Sequence, residues 1–231
     1  MGQTISLPMN GGECEGYLAL PPGGRGPGLL VLPEIYNSNA WVRAVTDRFA
    51  AQGYLAVAPD IYWRQGPRQY SPYTPEGVAH GRSLGKVLEE NIDVAIDDTG
   101  AWIDLLRQRP ECTGKVGVIG YCLGGKLAFL AGTRKKPDAV VMYYPVRLPP
   151  YLHETMKLTA PAMMHFGDRD EHIPSDMVDA IRHAVAGMGN IAIHEYTNAS
   201  HGFARFGQPT CSPEAESLAA SRTLAFLTCL A

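Results

Sequence analysis

No stretch of this 231-residue chain is apolar for long enough to cross a bilayer, and its start, MGQTISLPMNGGECEG, has no basic segment followed by a hydrophobic one. A cytoplasmic protein that does not engage a membrane is therefore expected. Runs of lysine or arginine are missing too: 20 basic residues face 23 acidic ones, for a formal charge of −3. Without a basic stripe there is no phosphate-tracking surface, so nucleic acid is not an expected partner. Cysteine is sparse and scattered. Cys14, Cys112, Cys122, Cys211 and Cys229 are odd in number and form no CxxC pair or zinc-like cluster, which points to reduced thiols rather than a disulfide framework. Internal repeats, low-complexity tracts and linkers are absent as well.

What is present is an ordinary globular composition, 45% hydrophobic and 19% charged, in a length suited to one core. A single domain over residues 1–231 is expected, and a monomer. Short apolar runs rich in valine and leucine recur at 28–34, 54–60, 115–121, 139–145, 160–168 and 191–196. Each has the look of a strand covered on both faces. Between them, 39–53, 91–110, 123–133, 176–189 and 214–230 carry apolar residues three and four apart, the pattern of amphipathic helices. Right-handed crossovers then give an α/β fold: a mostly parallel central sheet with helices on both faces and reactive groups at the C-terminal strand ends. The segment IYWRQGPRQYSPYTPEG, 61–77, is too rich in proline, glycine and aromatics for a regular state. It is expected to cover those strand ends, with its tyrosines either packed down or lining a substrate.

The most informative stretch is Gly120-Tyr121-Cys122-Leu123-Gly124, a G-x-nucleophile-x-G pattern between a strand-like and a helix-like run. A nucleophile on so sharp a turn needs neighbours without bulk, which Gly120 and Gly124 supply. The turn projects the Cys122 sulfur above the sheet and leaves the Leu123 N–H at a helix start, where an oxyanion could form. A helix N-terminus also favours the thiolate. Two partners are needed, a base for the thiol proton and a carboxylate to orient that base. His201, in ASHGFAR, and Asp170, in FGDRDEHIP, follow in the order nucleophile, acid, histidine. Asp168 sits in the same turn, but Gly167 three positions ahead of Asp170 favours the latter. A metal at Asp168, Asp170 and His172 is not expected, because one acidic turn without a second histidine cluster is a weak ligand set. His80, His153, His165, His172, His183 and His194 have no comparable setting.

These residues resemble the dienelactone hydrolase, or carboxymethylenebutenolidase, family. GKVGVIGYCLGGKLAFL, PEIYNSNAWVR, APDIYWRQGP and SHGFAR all fit, along nearly the whole chain, and cysteine in G-Y-C-x-G-G is uncommon among α/β-hydrolases. The resemblance implies an α/β-hydrolase fold and a triad of Cys122, Asp170 and His201. It adds Glu34 as a fourth member that interacts with the thiol and is displaced by substrate. It further implies an oxyanion site from the Leu123 and Ile35 amides, a substrate carboxylate on Arg205, and a second arginine in the helix after the loop. In VAHGRSLGKVLEE that second arginine is Arg82, and no tyrosine follows it as the family pattern has one.

A thiol in this position selects its substrate. A thiolate leaves a tetrahedral intermediate more readily than a simple alkoxide, so an alkyl ester would return to starting material. An enol lactone expels a resonance-stabilised enolate and collapses forward to a thioester. The reading is thus a lactone hydrolase that opens dienelactone to maleylacetate, in the degradation of catechols or chlorocatechols, with no metal or organic cofactor. Two alternatives stand beside it: an esterase or thioesterase with the same residues, and a non-catalytic ligand-binding protein on the same scaffold.

Overall fold

The computed structural model describes residues 2–231. Eight strands form one sheet: β1 (Gln3–Met9), β2 (Gly12–Ala19), β3 (Gly26–Leu32), β4 (Leu55–Pro59), β5 (Cys112–Tyr121), β6 (Ala139–Tyr143), β7 (Ala162–Gly167) and β8 (Ile191–Tyr196). Their order across the sheet is β1-β2-β4-β3-β5-β6-β7-β8. From β4 to β8 every neighbour pair is parallel, while β1–β2 and β2–β4 are antiparallel. The six apolar runs of the sequence are all strands, β3 to β8, although β8 is the second edge of the sheet and is half-buried rather than covered on both faces. The N-terminal hairpin is an addition that the sequence pattern did not reveal. β1 alternates between exposed and half-buried residues and carries no continuous apolar run, as befits an edge covered on one side.

Two ends fall earlier than the apolar runs suggest, and both matter. β3 stops at Leu32 because Pro33 has no N–H to give the ladder, which turns Glu34 and Ile35 into a loop. β6 stops at Tyr143, and Tyr144 turns away at φ +38° ahead of Pro145.

Six α-helices cover the sheet: α1 (Ala40–Ala51), α2 (Pro75–Glu90), α3 (Ile92–Gln108), α4 (Leu123–Arg134), α5 (Ser175–Ala184) and α6 (Pro213–Leu227). Asn39 caps α1 by accepting from the N–H groups of Trp41 and Val42, and Thr74 caps α2 with Pro75 as its first residue. α5 is shorter than its sequence pattern, ending before Gly187 at φ +83°. α1 and α6 are tied by Arg48–Glu216. α3 and α4 are tied by Arg134–Asp93 and Lys135–Asp97. The strands between them are the core: Leu29 to Leu32, Leu55 to Ala58, Val118, Ile119 and Val140 to Met142 are all fully buried. Each such side chain stabilises the fold by about 1.5–3 kcal/mol before the entropic cost of ordering it.

The segment 61–77 is anchored rather than free. It holds a 3-10 turn at Trp63–Gln65, and its arginines reach back to other elements, Arg64 to Asp98 and Arg68 to Glu15. α2 begins inside it, at Pro75.

The close approach of α4 to the end of β3 depends on Gly124, whose added Cβ would lie 2.5 Å from the Pro33 carbonyl oxygen and would also strike the Leu32 carbonyl. Overpacking against backbone costs about 1–3 kcal/mol. Gly124→Ala is expected to lower Tm by roughly 4–8 °C in a scanning calorimeter. An unchanged Tm would mean that this contact does not fix α4.

Candidate active site

Five loops at the C-terminal ends of β3, β5, β6, β7 and β8 bring Glu34, Cys122, Tyr144, Asp170 and His201 to one edge of the sheet. The parallel order forces this: adjacent parallel strands all end on the same side, so residues far apart in sequence become neighbours.

Cys122 sits between β5 and α4 with φ +55° and ψ −113°, in the positive-φ region that a residue with a Cβ rarely occupies. Surrounding hydrogen bonds hold it there. Its N–H donates to the Tyr143 carbonyl at 3.0 Å, and its own carbonyl accepts from the Lys126 N–H at 3.2 Å. Leu123 is the first residue of α4, so its N–H has no acceptor within the helix. Ile35 lies on the loop after β3 and lines the same cavity as Cys122.

His201 Nδ1 is 2.7 Å from Asp170 Oδ2, and the other oxygen, Oδ1, accepts from the His172 N–H at 2.8 Å. Asp170 is buried, whereas Asp168 is exposed, so the acid beside the imidazole is Asp170. His201 Nε2 is buried and makes no hydrogen bond of ordinary geometry with the described residues. Burial works against a charge on this ring. A negative charge on the Cys122 sulfur, whenever the thiolate forms, and the Asp170 carboxylate outweigh it and raise the pKa to about 10. His172 stacks edge-on against His201 at 4.7 Å, and burial together with the His201 charge pushes its own pKa down. Among the described residues no group of three or more His, Cys, Asp or Glu is placed to hold a metal ion.

Glu34 is fully buried and Arg205 nearly so. Arg205 Nε donates to both Glu34 oxygens at 2.8 Å, and the Tyr73 hydroxyl donates to Glu34 Oε2 at 3.1 Å. The Arg205 guanidinium lies 5.5 Å from the Tyr36 ring centroid and 5.3 Å from that of Tyr73, within cation–π range of both. Gly202, at φ +79°, makes this possible, since a Cβ there would lie 2.5 Å from the Arg205 guanidinium carbon. In this arrangement the two predicted residues Glu34 and Arg205 hold each other, and the thiol is not hydrogen-bonded to Glu34.

Cys122, His201, Arg205, Ile35 and Arg82 line one cavity of about 760 Å³. Its wall is α2, through Val78, Arg82 and Lys86; no residue of 61–77 lines it, and that segment reaches the site from behind, through Tyr73. A larger cavity, of about 890 Å³, is lined by Glu15, Trp41, Arg43 and Tyr70 and has no cysteine or histidine in its lining. Chemistry, not volume, decides between the two.

Four residues escape the sequence reading. Tyr36 has no role of its own in the sequence, Tyr73 reads as a tyrosine of 61–77 that either packs down or lines a substrate, and His172 reads only as part of a weak metal set. Tyr144 reads as the continuation of a strand, yet its hydroxyl is buried without a hydrogen-bond partner and its ring lies 4.9 Å from that of His201. The positive φ of Tyr144 is the cause, and no local sequence signal announces it.

A strained cysteine turn, a buried acid–imidazole pair and a carboxylate clamped to an arginine now share one site, and comparison with known proteins gives them a family. The dienelactone hydrolase family model matches residues 14–230. The chain belongs to the dienelactone hydrolase family. It is 34% identical over 218 residues to the carboxymethylenebutenolidase of Pseudomonas sp. (strain P51), covering 94% of this chain and 90% of that one. It is 32% identical over 227 residues to the carboxymethylenebutenolidase of Pseudomonas putida, covering 97% and 95%. Among solved structures, a chain assigned as a dienelactone hydrolase in Klebsiella pneumoniae subsp. pneumoniae superposes with a TM-score of 0.86 at 25% identity, covering 99% of this chain and 98% of that one. Membership makes the protein a hydrolase of lactone or carboxylic-ester bonds on the α/β-hydrolase fold. Among the described residues no helix is long and apolar enough to cross a membrane.

The His201 pKa gives a direct test of the Cys122–His201 coupling. Cys122→Ala removes the negative partner and leaves the lowering effect of burial, so the His201 Hε1 resonance is expected to titrate about 1–3 pH units lower than in the parent chain. A titration that does not move would mean that sulfur and imidazole are not coupled.

Proposed function

We propose that this family member opens activated enol lactones, with dienelactone going to maleylacetate, through Cys122 as nucleophile and a thioester intermediate. The observation that carries the reading is the juxtaposition of Cys122, at positive φ in a substrate-sized cavity, with an imidazole bonded to a buried aspartate at 2.7 Å.

The resting pair Glu34–Arg205 supplies the trigger. A substrate carboxylate entering the cavity competes with Glu34 for the Arg205 guanidinium, which can take a carboxylate in a bidentate fork. Arg82, from α2, is the second candidate for that carboxylate. Glu34, once released, turns toward the thiol and takes its proton, so that the thiolate forms when substrate is present. Cys122 Sγ then attacks the lactone carbonyl, and the oxyanion is held by the Leu123 and Ile35 amides. The carbonyl reforms as the ring C–O bond breaks. The departing enolate takes up a proton from His201, leaving an acyl group on sulfur. Water attacks the thioester, with His201 accepting its proton, and the carboxylic acid and the thiol are released. Asp170 keeps the imidazole oriented throughout. No step calls on a metal or organic cofactor, and the reaction belongs in the cytoplasmic degradation of aromatic compounds.

Steady-state rates on dienelactone, p-nitrophenyl acetate and an acyl thioester test the substrate assignment. A strong preference for either of the last two would move the protein to the esterase or thioesterase reading. Cys122→Ala is expected to abolish turnover with an unchanged circular-dichroism spectrum. Persistence of the parent rate would remove Cys122 as nucleophile and leave hydrolysis through another group.

Glu34→Gln keeps the size of the side chain but removes the proton acceptor. We expect kcat on dienelactone to fall by about 10²-fold or more. Thermal unfolding measured alongside separates a kinetic loss from a folding one, and intact kinetics would defeat the trigger.

A further inference from the structure

The chain carries a net charge of −3, yet the mouth of its reactive cavity is cationic. Arg82, Lys86, Arg147, Arg169 and Arg205 all line it. Arg205 is occupied by Glu34. Glu89 serves two cations at once, Arg147 at 3.1 Å and the buried Lys126. Lys86 has only Glu90, at 4.0 Å on the solvent side of the helix. Arg82 and Arg169 make no ion pair or side-chain hydrogen bond among the described residues. Counting Lys126 with the five lining cations, and setting Glu34, Glu89, Glu90 and Glu171 against them, two positive charges remain without a partner.

The placement of these charges is ordered. Arg82 and Lys86 lie one turn apart on α2, so their side chains rise from the same face of the helix. Arg169 comes from the loop after β7, one residue before Asp170, and Arg147 from the loop after β6. Burial holds the Lys126 pKa below its usual value, and its Glu89 partner opposes that fall. The surplus therefore rests on the exposed side chains at the entrance. Solvated surface cations would be spread over the molecule. Here they gather around the opening of the one cavity that holds Cys122.

Resting on the hydrolase reading above, we propose that the site reaches past the single free carboxylate of dienelactone to acyl compounds with a second acid group: one is taken by Arg205 when Glu34 is displaced, and the second is read at the entrance by Lys86 and Arg169 beside Arg82. Such a compound is a lactone or activated ester with two carboxylates. Lys86 and Arg169 set specificity and act on capture, so their influence falls on KM. Exposed contacts of this kind are individually weak and are screened by salt.

The test uses 4-nitrophenyl monoesters of acetic, succinic and tricarballylic acid, which share a leaving group and carry zero, one and two free carboxylates. The expected order of kcat/KM is acetate, succinate, tricarballylate, rising, with the tricarballylate value falling most steeply as salt is added. In Lys86→Gln with Arg169→Gln, the ratio of tricarballylate to succinate kcat/KM should drop about tenfold, carried by KM, and Lys86→Arg should restore part of it. A tricarballylate ester no better than the succinate ester, or a ratio that the double change leaves alone, overturns the proposal while the hydrolase reading stands. If none of the three esters is hydrolysed, the rate on dienelactone tests the hydrolase reading separately. Calorimetric titration with free succinate and tricarballylate then decides: tighter binding of tricarballylate, lost in the double variant, upholds the two-acid site, and equal or absent binding overturns it.

Discussion

The positive φ of Cys122 is the constraint on which the rest of this structure depends. A side chain at φ +55° is unfavourable, and the turn persists because hydrogen bonds to Tyr143 and Lys126, and glycines on either side, over-determine it. The same strain that is costly for the backbone lifts the sulfur clear of the sheet and starts α4 directly behind it. Anything that relaxed the turn would separate the thiol from the imidazole and from the Leu123 amide together.

Around that turn the charges are arranged in closed pairs. Asp170 faces His201, Glu34 faces Arg205, and Glu89 faces Lys126 and Arg147. Buried charges persist only when they are paired and hydrogen-bonded, which explains why Tyr73 joins Glu34 and why Tyr36 and Tyr73 flank Arg205. A pairing of this kind is stable at rest and sensitive to a competing anion. In the proposed mechanism an incoming carboxylate exchanges for Glu34 on Arg205, and the freed Glu34 is neutralised by the thiol proton rather than left as an unpaired buried charge. In the further proposal the cationic entrance favours such an anion over a neutral ester.

Legibility in the sequence was uneven for physical reasons. The six strands β3 to β8, four of the helices within a few residues and the fifth as a shortened α5, and the trio Cys122, Asp170 and His201 all carry local signals: apolar runs, periodicity, a glycine-flanked turn, an acid and a histidine after strand-like stretches. The Leu123 amide followed from the helix start behind the turn, whereas Glu34, Ile35, Arg205 and Arg82 came with the family resemblance, and of these four all but the buried Glu34 line the cavity. The hairpin β1–β2 was missed because an edge alternates weakly. Tyr73, Tyr36, Tyr144 and His172 were missed because what makes them part of the site is a partner more than 25 residues away or an unusual φ.

By itself the sequence determined the chemistry on offer: a thiol in a sharp turn, an acid and an imidazole in a fixed order, a chain built of buried strands and covering helices. These are local facts, encoded by spacing and by the conformational freedom of glycine. Only the tertiary structure decided who meets whom. It gave Glu34 to Arg205 rather than to the thiol, and made α2 rather than the loop before it the wall of the cavity. Those choices follow from strand order and helix packing, which sum weak preferences over the whole chain and leave no mark in any short stretch of it.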